Sequence, residues 1–259
     1  MSTASLITLA SGLPCLVREI SGEEEDLLAT YKKRGTTGST VIDMVFSRCV
    51  EKIGSEEGRP TPDRFLSMLS GDRRSLIYQI RALSFGNTVQ FKHTCPRCEQ
   101  TGTYEFNLQE NLGHYSEYDP EDPKEVELLH EVTLPSGVIA VWQRSCGHDE
   151  YDAMLCGEKP SKVVTCRLVK LGPKEFPKPL NKMGKPESDR FREARQLQIA
   201  SAVNALSGTD RAALRGSITA NDNPVDASVE IICENLQCRQ LAVRTLEDTP
   251  DFFYPGLLT

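Results

Sequence analysis

Two β-like runs, each broken by a pair of cysteines, constrain this chain more than any other feature. In the first, Val89 to Phe106, Val89 and Phe91 alternate with polar residues, Cys95-Pro96-Arg97-Cys98 makes a tight turn, and Tyr104 and Phe106 resume the alternation. In the second, Val229 to Val243, Val229 and Ile231 lead into Cys233, Cys238 closes the loop, and Leu241 and Val243 lead out. Each run reads as strand, knuckle, strand. Together the knuckles supply four thiolates, Cys95, Cys98, Cys233 and Cys238. That is the donor set of a closed tetrahedral zinc site, in which zinc takes sulfur at about 2.3 Å. A C-x2-C turn aims both sulfurs at one ion while adjacent backbone N–H groups steady their charge. The second pair has the looser C-x4-C spacing and lies far along the chain from the first, so this is not a compact ribbon. An iron–sulfur cluster uses the same donors. Two disulfides or free thiol pairs are the alternatives that need no metal.

Composition narrows the class. At 259 residues and 39% hydrophobic content the chain is long enough to bury a core. No apolar run approaches the ~20 residues that cross a bilayer. The opening MSTASLITLASGLP lacks the basic segment and long apolar core of a secretory signal and is read as mature sequence. Nine cysteines make an odd count in a chain too large to need a disulfide framework, which favours a reducing compartment. A net charge of −7 opposes the basic footprint that nucleic acid requires.

In chain order, residues 1–20 form an N-terminal arm in which Leu13-Pro14 and the following apolar residues are extended and able to add an edge strand. Residues 21–86 are helical. Ser21 and Glu24 make a capping box, and Val41, Ile42, Val45, Phe46 and Val50 place a buried stripe on a helix to about Ile53, with Cys49 a buried thiol beside it. Thr61-Pro62 opens a short helix, Asp72 caps the next, and Arg73, Arg74 and Arg81 are expected on its solvent face. Residues 87–171 are a β-hairpin region with the first knuckle, a polar aromatic stretch through Tyr118, and a second hairpin turning at Pro135-Ser136-Gly137. Residues 172–187 read as a proline- and lysine-rich linker, and 188–259 as a long helix, a shorter one capped by Thr209-Asp210, the second knuckle hairpin and a tail. The fold class is therefore α+β, with a helical N-terminal part and late helices around small β-hairpins, the two knuckles meeting in a zinc-ribbon-like junction.

Ser145-Cys146-Gly147-His148-Asp149-Glu150 gathers a cysteine, a histidine and two acids, but neighbours in sequence diverge in space, so a loop with a helix cap is the plainer reading. No catalytic residue is assigned. Cys146 or His148 is a conceivable additional ligand for the main metal.

The order of motifs also carries a resemblance. LSFG ends a helix at Leu83 to Gly86, CPRC sits in a hairpin, and LPSG occupies Leu134 to Gly137. Asp149-Glu150 follows a turn, and then come a long late helix, the second cysteine pair and FFYP at Phe252 to Pro255. From about Leu13 to Pro255 the chain resembles the T-even-type phage baseplate protein family, hub components of contractile tails and related injection machines. The resemblance implies a non-enzymatic virion protein of the tail baseplate hub. It would be made in the host cytoplasm, bind other tail proteins in a symmetric multi-copy assembly, support tail assembly, and neither bind nucleic acid nor span a membrane. Phe252, Phe253 and Tyr254 would then be either an anchor for a neighbour or a tail packed on its own domain. The competing classes are a zinc-ribbon nucleic-acid-binding or regulatory protein and a thiol-dependent enzyme.

Overall fold

The computed structural model describes residues 4–33, 38–109, 129–150, 167–176, 189–221 and 228–245. Helices alternate with small antiparallel sheets, as expected of an α+β chain. They gather into two compact units, one of Met1–Pro62, Asp72–Pro120 and Pro224–Thr259, the other of Asp63–Gly71 and Glu121–Asn223.

In the first unit, β1 (Ser5–Thr8), β2 (Pro14–Val17) and β3 (Val50–Ile53) form an antiparallel sheet with β2 in the middle. The segment expected as an arm or edge strand is thus central, and its alternation buries Cys15 and Val17. Helix α1 (Gly22–Lys33) begins with the expected capping box: the Ser21 N–H and hydroxyl donate to Glu24 Oε2 at 2.9 and 2.5 Å. Arg18 adds a two-pronged ion pair to the same carboxylate at 2.9 and 3.1 Å. Helix α2 (Gly38–Cys49) stops short of Ile53, because Val50 to Ile53 peels off as β3 and pairs Cys15 with Ile53 and Leu16 with Lys52. Here non-local pairing of a β-branched segment overrides the helical period.

Helix α3 (Pro62–Ser67), all but its first residue assigned to the second unit, precedes α4 (Ser70–Phe85), which buries Leu76, Ile77 and Ile80. Asp72 lies in the first turn of α4, and its carboxylate accepts the Ser11 N–H and hydroxyl, both at 2.8 Å. Arg73 and Arg81, expected on a solvent face, are buried. Long stems can be buried when the charged head finds a partner. Arg73 reaches Asp43 at 3.0 Å and lies over the Phe46 ring, while Arg81 donates to the Gly86 carbonyl just past the helix end. Gly86 adopts φ 85° and returns its N–H to Ala82 O at 2.9 Å, the left-handed stop that releases the chain into the first knuckle hairpin.

That hairpin is β4 (Thr88–Thr94) with β5 (Thr101–Asn107), in register from Thr88↔Asn107 to Thr94↔Thr101. In the second unit β6 (Leu129–Thr133), β7 (Ile139–Gln143), β8 (Leu168–Leu171) and β9 (Lys174–Glu175) lie side by side in chain order. The β6–β7 turn closes as expected through Leu134 N–H to Val138 O at 2.8 Å, with Gly137 at φ 82°. Helices α5 (Asp189–Asn204) and α6 (Gly208–Asn221) contribute Ile199, Val203, Leu214 and Ile218 to a core with Trp142, Leu168, Leu171 and Phe176. Trp142 is fully buried, hydrogen-bonds Ser217 Oγ at 3.0 Å, and stacks on His130. The second knuckle hairpin, in the first unit, is β10 (Ser228–Ile232) with β11 (Leu241–Thr245). The aromatic stretch through Tyr118, Cys156, Cys166 and the FFYP tail lie outside the described residues.

Candidate metal centre

Each knuckle is closed by its own backbone. In the first, the Cys95 N–H donates to Gln100 O and the Glu99 N–H returns to Cys95 O, both at 2.9 Å. In the second, Cys233 N–H donates to Gln240 O at 3.0 Å, while the Cys238 and Arg239 N–H groups converge on Asn235 O at 2.9 and 3.0 Å. The residue after each second cysteine is left-handed, Glu99 at φ 58° and Arg239 at φ 47°. Such a conformation is costly for L-residues other than glycine; in the second knuckle it is followed by the Gln240 N–H that meets Cys238 Sγ. Cys95 Sγ accepts from Cys98 and Arg97, Cys233 Sγ from Asn235, and Cys238 Sγ from Gln240.

The two turns repeat one local design, Cys98-Glu99-Gln100 matching Cys238-Arg239-Gln240, with Asn235 standing where the first knuckle has Cys95. The C-x4-C spacing is therefore the same turn with its first ligand moved two residues upstream. The repeated Cys-x-Gln was a sequence signal that the spacing alone conceals.

The four sulfurs meet. Cys95 Sγ lies 3.8 Å from Cys238 Sγ, Cys98 Sγ lies 3.5 Å from Cys233 Sγ, and all four lie within 4.8 Å of one another. A tetrahedron of thiolates on zinc at 2.3 Å has edges of about 3.8 Å, so the donor set fits a single ion. Cys95 and Cys233 are buried, Cys98 and Cys238 partly so, and all four are thiols. Their electrostatics also ask for a cation. The N–H groups of Cys98 and Arg97 bring the Cys95 thiol down to about 7. The Asn235 N–H pulls Cys233 the same way, but burial and the adjacent thiols of Cys98, Cys95 and Cys238 outweigh it and push it up to about 12. Cys238 is likewise raised: burial and the Cys98 and Cys95 thiols overcome the Gln240 N–H. One thiolate forms readily; a cluster of four does not ionise without a positive charge among them.

The support for this arrangement was not legible locally. Tyr104, on β5, takes a backbone hydrogen bond from Glu234 of the second knuckle and so ties the two hairpins together beside the sulfurs. Its ring packs against Phe91 and the edge of the buried His93. A Cβ at Gly102 would come within 2.9 Å of the Tyr104 ring and hydroxyl, so a larger residue there would push that side chain from its place.

The Cys146 to Glu150 stretch does something different. The Cys146 N–H and Sγ both donate to Asp149 Oδ2, at 3.0 and 3.2 Å, and the Asp149 N–H returns to Cys146 O at 2.9 Å. This is a helix cap with aspartate in the reach-back position. Neither Cys146 nor His148 is among the ligand atoms that come together.

Two knuckles from distant parts of an α+β chain bring four cysteine thiols together. A family model described as T4 bacteriophage base plate protein matches residues 8–137, half of the chain, and the chain belongs to that family. The family resemblance is borne out, and the matched span takes in the motifs as far as Leu134 to Gly137, while the later ones lie beyond it. The match includes Cys95 and Cys98 and ends before Cys233 and Cys238. No curated protein and no solved structure matches the chain. Membership indicates a structural role in the virion tail baseplate, among other tail proteins. No helix among the described residues is long and apolar enough to cross a membrane.

Proposed function

We propose that this protein is a non-enzymatic component of the baseplate hub of a contractile phage tail, made in the host cytoplasm and built into a symmetric multi-copy assembly by binding other tail proteins. Within it, Cys95, Cys98, Cys233 and Cys238 hold one zinc ion as a structural brace. The observation that carries the brace is the approach of all four sulfurs to within 4.8 Å, with backbone N–H groups already directed at three of them. Spacing near the edge of a single tetrahedron favours one ion over an iron–sulfur cluster, whose cysteines sit on different irons and are held apart by them. Zinc has no redox chemistry and in a closed four-thiolate shell has no open position, so its contribution is to folding. The ion would fasten β10–β11 to β4–β5, coupling the late part of the chain to the part that carries the family match.

Two measurements test this reading. Elemental analysis of the purified chain is expected to give about one zinc per chain, lost in the Cys95→Ser, Cys98→Ser variant together with much of the chain's stability. Iron in place of zinc would overturn the choice of ion, and absence of metal with the fold intact would overturn the brace. Detection of the protein in purified tails or their assembly intermediates tests the baseplate role, and absence from every such particle would overturn it.

A further inference from the structure

The two hairpins at the thiol cluster are built alike but face solvent differently. Both are two-stranded, with no further strand paired to either edge among the described residues. Both turn one face inward, burying Val89, His93 and Phe106 on the first and Ile231 on the second. The outward face of β4–β5 is polar throughout: Thr88, Gln90, Lys92 and Thr94 on one strand, Thr101, Thr103 and Glu105 on the other. Its side chains satisfy one another, Gln90 donating to Glu105 at 2.6 Å and Thr94 meeting Thr101 at 2.9 Å. That is the ordinary outcome for a half-buried ribbon, apolar inside and polar outside.

The outward face of β10–β11 departs from it. Ile232 stands directly opposite Leu241 in the ladder, and Val243 follows two residues along on the same face, opposite Glu230. These residues are 54%, 50% and 63% exposed, and Leu236, at the tip of the knuckle, is 77% exposed. Four exposed aliphatic side chains on one ribbon, beside a matched ribbon with none, mark an interaction surface.

We propose that this face docks an extended segment of another tail protein, which adds a strand or lays an apolar edge across Ile232, Leu241 and Val243 and brings a lysine or arginine to Glu230. Size selects the occupant. The patch offers on the order of 400 Å², well below the roughly 800 Å² per partner of a free-standing interface, which excludes a stable dimer of this chain through this face alone but suits a single strand. The outer edges of β10 and β11, unpaired among the described residues, supply the backbone donors and acceptors such a strand needs. Charge selects its composition. Glu230 is the one ionisable group among the residues of this face whose side chains are described, it is exposed, and a basic residue in the occupant neutralises it. The proposal rests on the baseplate reading, because it takes its partner from the tail.

The test uses assembled tails and their intermediates containing full-length protein with a photo-crosslinking residue at Leu241, or at Thr103 on the polar ribbon as control. A crosslink from position 241 to an extended segment of a different tail protein, with none from 103, is the expected result. Crosslinks from 241 only to residues 246–259 of the same chain, only to a second copy, or to nothing while the protein is present in the particles overturn the proposal but leave the baseplate role standing. Absence of the protein from all tail particles overturns both. As a second measurement, Ile232→Ser with Leu241→Ser is expected to leave metal content and circular dichroism unchanged and to lower incorporation into tails at least tenfold. Glu230→Lys is expected to lower it severalfold with the fold equally intact. Normal incorporation of the folded double variant would overturn the proposal.

Discussion

Removing the proposed ion from the four-thiol centre is the most informative single perturbation. Structural zinc binds comparable peptide sites with about 10–16 kcal/mol at pH 7, and that energy is folding energy when the unfolded chain has no site. Capture from about 10 μM free zinc uses roughly 7 kcal/mol of it, leaving about 3–9 kcal/mol as stabilisation. The structure argues for the middle of that range or above. Backbone N–H groups of Arg97, Cys98, Asn235 and Gln240 already point at the sulfurs, so little ordering remains to be done when the ion arrives. The ligands also lie as far as 143 positions apart, so an unfolded chain cannot hold them together by itself. A loss of about 5 kcal/mol is comparable with the whole stability of a typical domain, about 5–15 kcal/mol. The assay is urea unfolding followed by far-ultraviolet circular dichroism, in reductant, with zinc or with a chelator. At a slope of about 2–3 kcal/mol per molar urea, the midpoint should fall by about 2 M. Coincident midpoints, with metal verified at one and at zero per chain, would refute the reasoning.

Other expectations come from single residues. Glu99→Gly and Arg239→Gly should each stabilise the zinc-loaded protein by about 1 kcal/mol, read in the same urea titration, because glycine relieves the left-handed strain after each second cysteine. Burial raises the Glu24 carboxyl, but hydrogen bonds from Arg18 and Ser21 outweigh this and hold it at about 2. Its contribution is therefore complete above about pH 4.5 and disappears as pH falls toward 2, amounting to up to about 3 kcal/mol. Glu24→Gln should flatten that acid limb in a pH series of unfolding titrations. Trp142→Phe removes the bond to Ser217 Oγ and leaves a space in the second unit's core. A loss of about 2–4 kcal/mol is expected by thermal unfolding, partly recovered by Ser217→Ala.

Much of the local structure was legible because it is made by near neighbours. Ser21 and Glu24 announced a capping box, Leu83 to Gly86 a helix stop, Pro135 to Gly137 a hairpin turn, and the alternation around Cys95 and Cys238 two ribbons, and each is found there. The cysteines were legible as two pairs, each at a turn within a β run, but not as one cluster. Elsewhere local signals misled for one reason. The apolar spacing of Val41 to Val50 is helical, yet Val50 to Ile53 joins β2, and the Leu13-Pro14 segment that looked marginal lies between two strands. Arg73 and Arg81 read as surface charges until Asp43 and the Gly86 carbonyl came within reach.

The sequence by itself determined the ribbons and the cysteine pair at each knuckle, because these depend on residues a few positions apart. Only the tertiary structure decided that the four sulfurs meet and that Tyr104 bonds across to Glu234. It also decided that one outward face of two similar ribbons is left apolar with no cover among the described residues. Those outcomes depend on which distant segments are brought together, and the period of a strand or helix specifies which face is apolar without specifying what will meet it.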